Sequence, residues 1–564
     1  MTAADWIVFA AYFGGVVGFA YVQSRKNIGV EGFFLANRRL GWGAIGLSVM
    51  ATQASAITYI GTTGQAFDDG MEFVQVYLAQ PLAMVILCVV FVPFFYRAKV
   101  FTAYEYLERR FDAKTRSLTS FLFLMSRGLS AGIVLYAPAI VLSVIMGWDE
   151  TVTILIMGVI TVGYTIMGGI TAVIWTDVVQ MLMMFVGIAV ALVVLFAALP
   201  SNVGMSDVAY IGGIHEMWKS IDFSWDPTNR YTIWSGLIGG LFLALAYFGT
   251  DQSQVQRYLT ARSLRQSRLA LIFNAFFKVP MQVFILAIGV LLYVFYHFER
   301  PPLVFNPAEV AQIQSSPRAG EFGALEARHI QAHSQRRAAT LELVEARDVG
   351  GGLDELRARI GRHDDELAAL RVESKALISD VRGASSNDVN YVFPSYLITY
   401  VPAGVLGLLI AVIFAAAMSS LDSELTALSS ATVIDFYQRF FNADGTDGHY
   451  LRVSRLATLM WGGFAVMFAL YAGQLGSLIE AVNQIGSIFY GSLLGVFLLA
   501  FLVERATATG AFLGLITALL SVIAVSLFTE IAWLWYNVVG TAIVLLVGFA
   551  LRGPARIDPR ARVA

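Results

Sequence analysis

Eight consecutive residues, Ala416-Ala417-Met418-Ser419-Ser420-Leu421-Asp422-Ser423, concentrate oxygen atoms inside an otherwise apolar stretch. At helical spacing Ala416, Ser419, Ser420 and Ser423 fall at i, i+3, i+4 and i+7, on one face. Hydroxyl and carbonyl oxygens presented in this way are hard ligands. Neutral oxygens with one carboxylate at most suit a monovalent cation such as sodium better than a calcium cage would. The same serines would equally let two helices approach closely, or bond back to their own carbonyls. Spacing alone leaves both readings open.

Other polar residues interrupt apolar runs in the same manner. Thr52, Gln53, Ala54, Ser55 and Thr58 break one run, and Gly249, Thr250, Asp251, Gln252 and Ser253 break another. Arg127 lies about eleven residues into its run, near mid-bilayer at about 1.5 Å per residue. Lys278 lies within a further run. Intramembrane polar groups are costly, and they mark substrate paths, ion sites or mutual pairs. Two buried cations with no evident acid beyond the ion-site group need anions, and a carboxylate-bearing solute would supply one. Snorkelling, or a pair with a carbonyl or an aspartate, is the structural alternative for Arg127 and for Lys278.

The elements that must hold these residues are membrane spans. The chain has 564 residues, 57% hydrophobic and 14% charged, against about 45–50% apolar and 25% charged in soluble domains. About thirteen runs reach the length needed to cross a bilayer, at 4–24, 41–66, 73–96, 117–146, 151–168, 171–199, 231–256, 269–297, 403–437, 451–473, 476–502, 507–526 and 531–551. The first has no basic start and no small-residue cleavage site, so it is expected to be retained rather than removed as a signal. Cys88, the single cysteine, excludes a disulfide framework. Alternate loops hold the cations: Arg25, Lys26, Arg38 and Arg39; Arg97, Lys99, Arg109, Arg110, Lys114 and Arg116; Arg257, Arg262, Arg265 and Arg268; Arg552, Arg556, Arg560 and Arg562. Short basic loops stay cytoplasmic, which predicts an N-terminus outside, a C-terminus inside and a location in the plasma (inner) membrane.

The chain therefore divides into spans one to eight over 1–297, an extracytoplasmic insertion over 298–392, spans nine to thirteen over 393–551, and a basic cytoplasmic tail over 552–564. In the insertion Leu353, Leu356, Ile360, Leu367, Leu370, Leu377 and Val381 form a helical seam. A preceding helical stretch, 321–347, is separated from it by Gly350, Gly351 and Gly352, predicting a helical hairpin projecting from the membrane. A solvated spacer and a partner-docking element both fit it. Breaks at matching places in spans two and seven predict two inverted halves, spans two to six and seven to eleven.

The run 168–180, Gly-Gly-Ile-Thr-Ala-Val-Ile-Trp-Thr-Asp-Val-Val-Gln, resembles the signature of the sodium:solute symporter family. Asp251-Gln252 followed by Gln256-Arg257-Tyr258-Leu259 resembles its second signature. The serine-rich ninth span, ending in Ile434-Asp435-Phe436-Tyr437, is similar to its sodium-binding helix. The likeness covers nearly the whole chain apart from the insertion. It implies an all-α fold of the leucine-transporter type, a five-plus-five inverted repeat with one extra helix before and two after, and solute import by alternating access driven by sodium. It places sodium on the carbonyls of Ala51, Ala54 and Ala416 and the hydroxyls of Ser419 and Ser420. In some relatives a second sodium site lies nearby, matched here by Asp177, Ser419 and Ser423, with Asp422 where a hydroxyl residue is often found. Asp177 capping its own helix or pairing with an arginine is the alternative. Alignment with sugar-transporting relatives points to Gln53, Lys278 and Gln484 as solute contacts, with Tyr77 near the position of a missing acid and Gln80 one turn away.

Taken with Arg127, these residues favour a small organic anion such as a monocarboxylate, with a sugar or polyol as the alternative solute. A membrane enzyme is not expected, because the chain has no nucleophile elbow, phosphate-binding lysine loop or metal-spaced histidines. His329, His333 and His363 of the insertion read as solvated helix faces before they read as a metal site. A transporter-like sensor would carry a cytoplasmic signalling domain, and about a dozen residues follow the last span. The expected partners are the solute, sodium as the coupling ion and only metal, and the lipid bilayer. No cofactor, nucleic acid or obligate protein partner is expected.

Overall fold

The computed structural model describes residues 1–24, 29–167, 169–349 and 352–553, and their ordered elements are helices. Arg25, Lys26, Gly168, Gly350, Gly351 and the tail from 554 onward lie outside the described residues. Among the described residues, nine helical stretches are long and apolar enough to cross a membrane, with three shorter apolar helices, Glu150–Gly163, Ser235–Thr250 and Leu534–Ala550. Length and hydropathy thus do not by themselves return thirteen spans. The second half of the expected second span and all of the third fall in one run, Ala56–Ala98.

Spans start where a side chain can take up orphan amide groups. Asp112 accepts from the Thr115 amide at 2.8 Å to open Ala113–Met146, the fourth span, and Thr507 accepts from the Gly510 amide at 3.0 Å to open Ala508–Phe528, the twelfth. Burial sorts the spans into centre and rim. The ninth, Val405–Ala431 with a wider-turned continuation Thr432–Phe441, is buried almost throughout. The first, Ala3–Ser24, is largely exposed. Val159, Phe276 and Phe528 are among the large apolar side chains exposed on the outside of the bundle, as a lipid-facing surface requires. The first span docks on the ninth through Asp5, whose carboxylate accepts from the amides of Gly404 (2.7 Å) and Gly407 (2.9 Å). Gly407 permits this contact, since a Cβ there would stand 2.5 Å from the Asp5 carbonyl oxygen.

Both expected breaks are present. The second span is Trp42–Gln53 and Ala56–Asp69, parted at Ala54 and Ser55, which leave helical geometry at ψ 79° and 175°. The seventh is Gly240–Thr250 and Gln252–Leu259, parted at Asp251 with ψ 121°. The eighth span, Leu264–Phe298, packs along both halves of the second.

The insertion holds two long helices, Ala319–Val349 and Leu353–Arg382, packed on each other with Gly352 at φ +72° beside the turn. Of the expected seam, Ile360, Leu367, Leu370 and Leu377 are buried. The pair does not stand free of the bundle. Arg336 donates to the Tyr296 carbonyl (2.6 Å) and Arg337 to the Phe298 carbonyl (2.7 Å), taking up orphan acceptors at the end of span eight. His329 and His333 are buried rather than solvated, and burial pushes them down to about 3 and about 4. His333 sits 3.0 Å from the Tyr296 carbonyl and His363 lies against Glu366, so the three histidines do not form a ligand set among the described residues.

Candidate functional site

The breaks in spans two and seven meet the serine face of span nine in the middle of the bundle. At the end of Trp42–Gln53 the Ala54 amide donates to the Met50 carbonyl at 2.9 Å, so the carbonyls from Ala51 onward lack the usual donor four residues on. Ser420 on span nine faces them. Its hydroxyl lies 3.2 Å from both the Thr52 and the Ala416 carbonyls, longer than the ordinary O–H···O distance of about 2.7–2.8 Å. Ala51, Ala54, Ala416, Ser419 and Ser420 are all buried, and the structure brings the broken end of span two against this face.

A second polar cluster adjoins it. Asp177 on span six, Ile170–Ala197, accepts from Ser48 at 2.5 Å and from Ser419 at 2.7 Å. Ser423 reaches the Ser419 carbonyl at 2.5 Å and the Thr52 hydroxyl at 3.1 Å. Between Asp177 and Ser423 stands the guanidinium of Arg257, 3.3 Å from Asp177, bonded to Ser423 and donating to Ser48 at 2.9 Å. The residues aligned with a second ion site therefore gather around a built-in cation, as the arginine pairing of Asp177 anticipates. Asp422 accepts from Thr165 of span five at 2.5 Å.

Beside these clusters lies a cavity of about 100 Å³. Gln53, Tyr77, Gln80 and Arg127 line it, together with Ser420 and Glu424 of span nine. The Gln53 and Gln80 amides are 3.4 Å apart, and Gln80 donates to Asn274 at 2.6 Å. Tyr247, Phe248 and Tyr490 give the cavity an aromatic wall.

Three expectations about this cavity need correction. Gln484 is exposed and lines nothing here; its neighbour Asn483 is in the wall instead. On the helix Leu478–Leu502 one residue turns the side chain by about 100°, so an alignment slip of one exchanges a cavity face for an outer one. Lys278 is fully buried but stands outside the wall, its Nζ 5.5 Å from the centroid of the Tyr77 ring and without a hydrogen-bond partner. Arg127 is not short of acids. Its Nε meets Asp251 at 2.5 Å, its Nη1 meets Glu424 at 2.7 Å, and its Nη2 bonds the Tyr490 hydroxyl. Glu424 was the missed residue. It was visible one turn beyond Ser420 as an acid inside an apolar run, which is the signal that drew attention to Arg127.

The chemistry on offer is binding. Oxygen ligands, amides and aromatic rings surround a cavity where two helices lose their backbone pairing, the arrangement expected of a discontinuous-helix carrier. The sequence profile of the Sodium:solute symporter family matches residues 33–315 and 369–518. The chain is 27% identical over 554 residues to a sodium/sialic acid symporter, NanT, of Aliivibrio fischeri, covering 97% of this chain and 92% of the relative. It is 27% identical to the sodium/sialic acid symporter SiaT of Proteus mirabilis over 553 residues, 96% of this chain and 94% of the relative. A sodium-coupled monocarboxylate transporter 2 of Bos taurus is 31% identical over 282 residues, 48% of this chain and 44% of the relative. Among solved structures, a substrate-bound, outward-open Na⁺-coupled sialic acid symporter superposes with a TM-score of 0.76 at 24% identity, over 98% of this chain and 99% of that one, and shares its fold. The chain belongs to the sodium:solute symporter family, as a multi-pass, sodium-coupled symporter and not an enzyme.

Proposed function

We propose that this protein imports a small organic anion together with sodium across the plasma membrane, with the N-terminus outside and the C-terminus in the cytoplasm. Sodium is held between the carbonyls of Ala51, Ala54 and Ala416 and the hydroxyls of Ser419 and Ser420. The solute sits in the adjacent cavity, its polar groups meeting Gln53, Gln80 and Asn483 and its apolar edge the Tyr77 and Tyr247 rings.

The observation that carries the anionic reading is Lys278, a fully buried amine with no hydrogen-bond partner behind the Tyr77 wall. An adjacent carboxylate favours the charged form of a buried amine, and a solute carboxylate that displaces the Tyr77 ring would provide that partner. Arg127 no longer contributes to this argument, because Asp251 and Glu424 balance it. Relatives named as sialic acid and monocarboxylate transporters support an acid. A neutral sugar or polyol is the second reading, favoured by the uncharged amides of Gln53, Gln80 and Asn483 in the wall itself.

The test is uptake into proteoliposomes with and without an inward sodium gradient, comparing sialic acid, lactate and glucose. One of the acids should accumulate only with the gradient. Lys278→Met should lower acid uptake at least tenfold while the protein melts no lower than wild type, since the substitution removes an unpaired buried polar group. Sodium-driven glucose uptake with both acids inert, or full acid uptake by Lys278→Met, would overturn the anionic reading.

A further inference from the structure

Away from the transport cavity, three side chains from separate segments converge where the insertion meets the bundle. They are His215, which ends the helix Met205–Ile214; His297, near the end of span eight; and Asp364, on the insertion helix Leu353–Arg382. One ligand atom from each lies within 4.8 Å of the others. His215 Nε2, His297 Nε2 and Asp364 Oδ2 all lack a hydrogen-bond partner. Three orphaned polar atoms pointing at one another is an expensive arrangement for a protein that holds nothing there.

The surroundings fit a ligand set. His297 is fully buried, and its Nδ1 sits 3.0 Å from the Tyr293 carbonyl. A carbonyl can only accept, so the proton is on Nδ1 and the Nε2 lone pair faces the cluster, the orientation that metal-bound histidines usually have. The ring also packs on Tyr293 and His215, with centroids 4.8 and 5.6 Å away. Asp364 binds Arg336 through Oδ1 at 2.8 Å, which fixes the carboxylate and leaves Oδ2 for another partner. Arg336 opposes a cation here, and its own charge is taken up by that bond. His215 Nε2 and Asp364 Oδ2 are 3.2 Å apart, close to the roughly 3.3–3.5 Å between ligand atoms on a tetrahedral zinc with bonds of about 2.0–2.2 Å. The wider pairs need a closure of about 1 Å.

We propose that His215, His297 and Asp364 form a zinc site, with water as the fourth ligand, that staples the insertion to the transport bundle. Two imidazoles and one carboxylate suit zinc among the available divalent metals. His215 also borders an open surface cavity walled by Asp68, Asp69, Glu72, Glu216 and Arg230, where the acids outnumber the cation and would draw a metal ion toward the site. The family profile leaves 316–368 unmatched, so Asp364 lies in a segment outside the matched transport core.

The test uses the full chain in detergent, stripped with chelator, dialysed and titrated with zinc chloride while metal content and melting temperature are followed. Wild type should retain one zinc per chain and melt higher with it. Asp364→Asn and His215→Gln should each lower zinc affinity at least tenfold. The metal-free melting temperature and sodium-driven uptake of His215→Gln should match metal-free wild type, which separates a lost ligand from a damaged fold; Asp364→Asn also strands Arg336 and is read on zinc affinity alone. Failure of wild type to retain stoichiometric zinc, or equal retention by both variants, would overturn the proposal.

Discussion

Replacing Arg127 by methionine leaves Asp251 and Glu424 facing each other inside the bundle without their cation. Both are almost wholly excluded from solvent, at 0% and 5% side-chain exposure. Removing one partner of a buried ion pair costs about 3–5 kcal/mol, a factor of roughly a hundred to a few thousand in the folding equilibrium at about 1.4 kcal/mol per tenfold. Most of that cost is the stranded negative charge rather than the lost contact. Adding Asp251→Asn and Glu424→Gln to Arg127→Met should therefore recover all but about 1–2 kcal/mol, leaving mainly lost hydrogen bonds. Asn keeps the carbonyl oxygen that accepts from the Ser253 amide at 2.9 Å. Reversible unfolding in mixed micelles would measure each variant. A cost below about 1 kcal/mol for Arg127→Met alone, or a triple variant as unstable as the sum of its single changes, would refute the charge-burial account.

Two further outcomes follow from other parts of the molecule. Removing the Ser419 and Ser420 hydroxyls takes two ligands from a shell of about five or six oxygens and leaves the carbonyls of Ala51, Ala54 and Ala416; in the Ser419→Ala, Ser420→Ala double variant, solute binding across a sodium titration should weaken by the coupling energy, about 1–3 kcal/mol, and an unchanged sodium dependence would place the ion elsewhere. Burial works to raise the Asp388 carboxyl, but Arg371 at 3.1 Å and Lys375 at 2.6 Å outweigh it and hold it below its ordinary 3.8. With the folded value depressed, this stabilisation is complete above the ordinary value and is lost as pH falls through the lower one. Melting temperatures between about pH 3 and 6 should therefore drop at the acid end in wild type and stay flatter in Asp388→Asn; parallel curves would show that the buried carboxylate is not what the acid titrates.

The sequence was most readable where function contradicts local preference. Polar residues inside apolar runs marked both helix breaks, and the structure parts the helices at Ser55 and Asp251 as expected. The serine face was legible because helical periodicity alone puts Ala416, Ser419, Ser420 and Ser423 together. Partners across the fold were not. Arg127 and Glu424 are 297 positions apart, and no local pattern says that span four will cross span nine at that level. Gln484 failed for a different reason: choosing between it and Asn483 requires the rotation of one helix, which tertiary packing sets and hydropathy does not. The insertion gave up its seam but not its docking, since the acceptors that Arg336 and Arg337 reach are backbone carbonyls, which every residue has.

One helix face connects the parts of the proposed transport cycle. Ser420 and Glu424 are one turn apart on span nine, and both lie in the cavity wall. Ser420 belongs to the proposed ion site, whereas Glu424 is tied through Arg127 to Asp251 at the break of span seven. Further along the same helix Asp435 binds Arg116 at 2.6 Å, and Arg116 also holds Glu108 at 2.7 Å, pinning the ends of spans four and nine together. At the proposed site, sodium between spans two and nine would fix the position of Ser420, and the helix would pass that position on to Glu424 within a single turn. In the proposed cycle, ion occupancy and solute contact would be coupled through about 6 Å of one helix, without a longer relay through the protein.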